Sequence, residues 1–188
     1  MPGEKVGIVA GRVPGYPHKM PKSLELIQVD TRERAPWSFT SCQHSVQTVT
    51  GTLTVGDYAL AWDPGVRTSN TPTIAAVEKK DFPGEFVKCC GTDRKRFFKQ
   101  LRNLRGAVDQ PLLIIQNCSL AQIEMGQWRG QLPPAVVKAT LLQAMQIVPV
   151  LLAHDAQEAE HYCFLHLRTA MAEAYKHSRE FARAAMPR

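Results

Sequence analysis

No apolar run in this chain approaches the roughly 18–20 residues needed to cross a bilayer, so no membrane association is expected. The first residues, Met1 to Lys22, are rich in glycine, proline and charge and carry no apolar stretch of the secretory kind. Paired cysteines are also missing. Cys42, Cys89, Cys90, Cys118 and Cys163 are odd in number and show none of the paired C-x-x-C spacing of a zinc site. Cys89 and Cys90 open a helical stretch, where small buried thiols are the expected role. No internal repeat is present. These absences predict an intracellular, cytoplasmic protein.

Acidic residues are in deficit: 17 Asp and Glu stand against 23 Lys and Arg, a net charge of +6 with pI near 9.2, which favours a polyanionic partner. Hydrophobic residues at 44% and charged residues at 21% are ordinary for a globular chain and exclude a disordered or fibrous one. A length of 188 residues suits one substantial core and is too short for two comfortable domains.

The few carboxylates are informatively placed. Gly56-Asp57-Tyr58 is followed by Val77-Glu78-Lys79-Lys80, both in strand-like surroundings. A strand sends alternate side chains to one face, so Glu78 and Lys80 emerge together while Lys79 faces away. If Asp57 lies on the adjoining strand, two hard oxygen ligands converge beside an ammonium, an arrangement suited to Mg²⁺ and a water aimed at a phosphodiester. The same spacing would also serve a surface ion pair.

Along the chain, 1–23 reads as a flexible lead-in, with Val6–Ala10 able to form a short strand, and 179–188 as a C-terminal tail around one domain at 24–178. Leu24–Asp30 fits a buried strand. Gln47–Val55 and Tyr58–Trp62 read as strand on either side of Gly56, Asp63–Asn70 as a turn, and Thr73–Lys80 as the returning arm of a hairpin. Glu85–Arg105 has helical spacing, with Phe97, Leu101 and Leu104 on one face. Its cations Arg94, Lys95, Lys99, Arg102 and Arg105 suit either a solvated face or a DNA-facing one. Gln110–Gln116 is a central strand buried on both faces, and Asn117–Leu132 a polar connection containing Met125-Gly126-Gln127-Trp128-Arg129-Gly130. Pro133-Pro134 opens a helix over Ala135–Gln146, and Val148–Ala153 is a strand. Asp155 and Glu158 then cap a last helix running to about Tyr175, with Ala159, Tyr162, Cys163, His166, Leu167, Ala170, Met171 and Ala174 on its apolar side. His166 reads as a core or interface histidine. The alternation of strands and helices predicts an α/β fold with a mixed central sheet flanked by helices.

The order Leu26-Ile27-Gln28-Val29-Asp30-Thr31-Arg32-Glu33, Gly56-Asp57-Tyr58, Val77-Glu78-Lys79-Lys80, Arg96 with Gln100, and Pro111-Leu112-Leu113-Ile114-Ile115 resembles the nuclease domain of the XPF family of structure-specific DNA endonucleases, a branch of the restriction-endonuclease-like superfamily. The resemblance runs from about Leu24 to about Tyr175. From Trp128-Arg129-Gly130 to Leu152 it is nearer the stand-alone bacterial and phage versions, which implies a nucleoid-associated setting or a phage-infected host.

That resemblance implies Asp57 and Glu78 as metal ligands, the backbone carbonyl of Lys79 as a third, and Mg²⁺, or Mn²⁺, as the cofactor. Lys80 would orient or help deprotonate the attacking water, and Asp30 and Glu33 would lie near the metal or bind a second ion. Asp30, Asp57, Glu78 and Lys80 are thus the expected catalytic set, with Arg32, Lys79, Arg96 and Gln100 toward DNA. Arg96 could equally pair with a carboxylate. Some positions depart from the family: Lys79 stands where arginine is usual, Gly84 where an aspartate is typical, and Gln116 where relatives often have glutamate.

The expected activity is a metal-dependent DNA endonuclease acting on flaps, forks or junctions in repair, recombination or phage replication. The alternative is a non-catalytic, nuclease-like partner subunit or DNA-binding scaffold, which would ordinarily have lost the acidic ligands retained here. The family's tandem helix-hairpin-helix module finds no room after the last helix, so weak, salt-dependent DNA binding is expected. A homodimer is expected through the apolar face around Ala170, Met171 and Ala174.

Overall fold

The computed structural model describes residues 26–40, 42 and 46–184. The expected lead-in over 1–23 lies outside them. Six strands and six helices follow in the order β1 (Leu26–Asp30), β2 (Gln47–Gly51), β3 (Tyr58–Leu60), α1 (Pro64–Ser69), β4 (Ala75–Asp81), α2 (Gly84–Cys90), α3 (Arg94–Ala107), β5 (Gln110–Gln116), α4 (Leu120–Glu124), α5 (Pro134–Met145), β6 (Val150–Leu152) and α6 (Ala156–Ala184).

The strands form one sheet in the order β2-β1-β3-β4-β5-β6. β1 pairs in parallel with β2, and β4, β5 and β6 are parallel to one another. β3 is antiparallel to both of its neighbours, so it alone runs against the rest. The carboxyl ends of β1, β4 and β5 therefore lie along one edge, together with the start of β3.

Strand alternation divides the core into layers. On one face Tyr58, Val77 and Ile114 pack with Ala159, Cys163, Leu167, Ala170 and Met171 of α6. On the other, Leu113 and Ile115 meet Phe86 of α2, Phe97 and Leu101 of α3, and Val137 and Leu141 of α5. β5 is thus apolar along its length because both of its faces are covered. In α3 the buried residues Phe97, Leu101 and Leu104 recur at the expected four- and three-residue spacing, each such burial contributing about 1.5–3 kcal/mol. α6 starts on a reciprocal cap in which Glu158 N–H donates to Asp155 Oδ1 (2.7 Å) and Glu158 Oε2 accepts from His154 N–H (2.6 Å).

Several elements differ from the sequence reading. Asp63–Asn70 is not a turn but helix α1: Asp63 caps it by accepting from Gly65 N–H at 2.8 Å, and Asn70 ends it in the left-handed conformation. β2 stops at Gly51 and adds to the far side of β1, instead of leading directly into β3. The polar connection after Asn117 contains α4, capped by Ser119. α6 continues past Tyr175 to Ala184, into the span expected as a tail. Its apolar face, from which pairing with a second copy was expected, lies inside this chain, with Met171 only 2% exposed. His166 sits at that face too, its ring nitrogen 3.0 Å from the Gln110 carbonyl, and burial lowers its pKa against the opposing pull of that bond.

Candidate active site

The site is built across three neighbouring strands. Val29 lies opposite Tyr58, and Tyr58 opposite Val77. One step along, Asp30 N–H donates to the Asp57 carbonyl (2.9 Å), and Asp57 N–H to the Val77 carbonyl (2.8 Å). Directly opposed residues project to the same face, so Asp30, Asp57 and Glu78 form an acidic row across the sheet, on the side covered by α2 and α3.

Gly56 sets the first of the conditions for this row. Its φ of +74° is left-handed, and a Cβ there would stand 3.0 Å from Ala76 Cβ and 3.3 Å from the Val77 carbonyl. Only glycine brings the chain this close to β4 immediately before Asp57. Asp57 Oδ2 then accepts the Lys79 main-chain N–H at 2.7 Å, which holds the carboxylate beside β4.

Glu78 is buried, and its Oε1 accepts from Lys80 Nζ at 2.6 Å. The same ammonium donates to the Lys79 carbonyl at 2.8 Å. Burial and the neighbouring Glu78 raise the Asp57 carboxyl to about 7, against the opposing pull of Lys80. Burial works against the charge on Lys80, but Glu78 and Asp57 outweigh it and hold the amine above its ordinary range. Lys80 is therefore held as a hydrogen-bond donor to Glu78 and to the Lys79 carbonyl.

Two carboxylates and one carbonyl are hard oxygen donors of the type that suits Mg²⁺, which keeps several waters and uses one or two carboxylates. No group of three or more His, Cys, Asp or Glu side chains is arranged to hold a metal among the described residues. Asp57 and Glu78, with the Lys79 carbonyl, are the donors that fit.

The remaining expected residues are placed differently. Asp30 is 1% exposed and fully engaged: Oδ1 accepts Arg32 N–H and Nε–H (both 2.7 Å), and Oδ2 accepts Leu53 N–H (2.7 Å) and Arg32 Nη2 (3.0 Å). Burial alone would raise its pKa, but these bonds and the Arg32 charge bring it below the ordinary value. Its oxygens hold the β1 turn together. Glu33 accepts Ala35 N–H at 2.8 Å and lies 3.4 Å from Lys79 Nζ.

Lys79 points away from the row, as alternation requires. Its ammonium sits 5.2 Å from the Trp37 ring centroid and donates to the Ala35 carbonyl. The side chain, expected toward DNA, is 5% exposed, and it is the main-chain groups of Lys79 that face Asp57 and Lys80. Arg32 is bound to Asp30 and the Leu53 carbonyl, yet its side chain is 69% exposed. Arg96 pairs with Asp93 at 2.7 Å, the structural arrangement weighed above, and is exposed, as is Gln100.

Trp37 was not singled out by the sequence, and nothing local marks it. It stacks on Tyr58 (4.6 Å between centroids) beneath Lys79 and donates from Nε1 to Gln116 Oε1 at 2.8 Å. Gln116 in turn donates to Asp81 Oδ1 (3.0 Å), which also accepts from Asn117 (2.7 Å). Gln116 thus joins Trp37 to Asp81 as both acceptor and donor, which an ionised glutamate could not do.

An ERCC4 domain model matches residues 29–164. Two similar solved structures are XPF from Aeropyrum pernix, at TM-score 0.56 and 17% identity over 77% of this chain and 61% of that one, and XPF from Aeropyrum pernix in complex with DNA, at TM-score 0.58 and 17% identity over 79% and 66%. The chain thus spans less than two thirds of the length of either. At this identity the likeness concerns the fold, a restriction-endonuclease-like mixed sheet between helices. No curated protein matches.

Proposed function

The chain belongs to the ERCC4-domain family, and from that premise and its acidic row we propose that it is a metal-dependent DNA endonuclease. The observation that carries the reading is the convergence of Asp57, Glu78 and the Lys79 carbonyl beside the Lys80 ammonium. A scaffold that had lost catalysis would have no need of two carboxylates held against each other at the cost of burial.

In this reading Asp57 and Glu78 hold Mg²⁺, or Mn²⁺, with the Lys79 carbonyl. The ion would polarise the phosphate and lower the pKa of a bound water. Lys80, a fixed donor, orients the water and neutralises charge as it develops on the phosphate oxygens. Asp30 and Arg32 hold the β1 turn, and the exposed Arg32, Arg96 and Gln100 face the DNA backbone. One of the two similar structures is of XPF in complex with DNA, which supports DNA as the partner. Flap, fork or junction cutting in repair, recombination or phage replication is the finer form of this proposal.

The test is a panel of labelled linear, forked, flapped and four-way DNAs incubated with Mg²⁺ or Mn²⁺. Cleavage of a branched member that stops on chelation is expected. No cleavage of any member with either ion, while DNA is still bound, would favour the scaffold reading instead. With the apolar face of α6 inside the chain, a homodimer has to use another surface, and light scattering at several concentrations decides whether one forms.

A further inference from the structure

The motif Met125-Gly126-Gln127-Trp128-Arg129-Gly130 has no part in the acidic row, yet its Gln127, Trp128 and Arg129 form one wall of a groove of about 610 Å³. The other wall is Pro83, Gly84, Val87 and Lys88, at the start of α2. We propose that this groove takes an unpaired base of the DNA substrate, with Trp128 as the stacking surface. The proposal rests on the nuclease reading above.

Trp128 is a fixed surface. Its Nε1–H donates to the Leu132 carbonyl at 3.2 Å, and its ring meets Phe82 in an edge-to-face contact 6.0 Å between centroids. Gly126, at φ +65°, lets Trp128 N–H turn back to the Gly126 carbonyl at 2.8 Å, which sets the ring against the groove. The ring is only partly buried, unlike Trp37, which is 6% exposed and covered by Tyr58.

Charge favours a nucleic acid over a peptide of mixed character. The lining holds two cations, Lys88 and Arg129, and no carboxylate. Both are exposed, and neither has an ion-pair partner among the described residues. An aromatic surface with apolar flanks and cations at the rim is the combination by which single strands are held without sequence preference: rings take the bases and cations the phosphates.

Position ties the groove to the chemistry. Pro83 is three residues beyond Lys80, so their Cα atoms are no more than about 11 Å apart, the rise of about three stacked nucleotides. α2 faces the groove with Gly84, Val87 and Lys88 and packs against β4, the strand that carries Glu78 and Lys80. A strand leaving the groove therefore passes the acidic row within a few nucleotides.

The experiment titrates a short oligothymidylate into the full chain with chelator present, following tryptophan emission and, by anisotropy, the affinity for forked and blunt DNA. Stacking on Trp128 predicts quenching that Trp128→Phe abolishes with affinity nearly kept. Trp128→Ala is expected to weaken forked DNA about tenfold and blunt duplex little. Lys88→Ala/Arg129→Ala, which leaves the ring in place, is expected to keep the quenching and weaken the fork. Quenching unchanged in Trp128→Phe, or the same small effect of all three variants on forked and blunt DNA, would overturn the proposal. Because no cation is present, the result is independent of cleavage: Glu78-dependent cutting without quenching would reject the groove and leave the nuclease reading standing.

Discussion

Lys79 and Lys80 are adjacent and carry the same charge, but strand alternation gives them opposite work. Lys80 turns to Glu78 and the acidic row, whereas Lys79 turns to Trp37, Glu33 and Ala35. Lys79→Met should therefore destabilise the fold by about 2–3 kcal/mol, through loss of a buried cation–π contact and its hydrogen bonds, with cutting by the folded fraction largely kept. Chemical denaturation and activity per folded molecule separate the two effects. Asp30 gives a second test, through pH. Its folded pKa is depressed below the unfolded 3.8, so its stabilisation is present above that value and is lost as pH falls through the folded pKa. Asp30→Asn should cost about 1–3 kcal/mol at neutral pH and should remove part of the loss of stability seen in the wild type on acidification below about pH 4. Equal acid slopes in the two proteins would contradict the part given to Asp30.

At the scale of elements, what could be read from the sequence was what neighbours in the chain decide. The five-residue apolar run within Gln110–Gln116 set β5, the spacing of Phe97, Leu101 and Leu104 set the buried face of α3, and Pro134 opened α5. The alternation of Val77 to Lys80 placed Glu78 and Lys80 on one face before any partner was known. What stayed hidden depends on residues far apart in sequence: Asp30 is satisfied by Leu53, and Trp37 by Tyr58 and Gln116. α1 was hidden for another reason, because Asp-Pro-Gly followed by Asn reads equally as a turn and as a capped short helix. Asp63 does more than cap: it is fully buried and accepts from Thr73 N–H, Thr73 Oγ1–H and Ile74 N–H as well as Gly65. Asp63→Ala would strand several buried donors and should cost more than about 2 kcal/mol in denaturant melts, and a change under about 0.5 kcal/mol would contradict that part.

Over the whole molecule, the exposed cations Lys95, Arg96, Lys99 and Arg102 line α3, next to the face that covers the acidic row, and the chain carries a net charge of +6. DNA affinity should then fall steeply with salt, with a slope of about −3 to −5 in log affinity against log salt concentration. A slope near zero in an anisotropy titration would contradict phosphate-dominated binding. Among the described residues no helix is long and apolar enough to cross a membrane.

The central claim, that Asp57 and Glu78 hold the ion while Lys80 acts on the water and phosphate, is tested most directly by measuring metal affinity calorimetrically and cutting rate on the same preparations of wild type, Glu78→Gln and Lys80→Ala. Glu78→Gln is expected to lose metal binding and cleavage together. Lys80→Ala is expected to keep metal affinity within a few-fold and lose roughly 10²–10³ in rate, the size of effect seen when a single preorganised donor is removed. Wild-type cutting rates in both variants would contradict the account and place the active centre elsewhere.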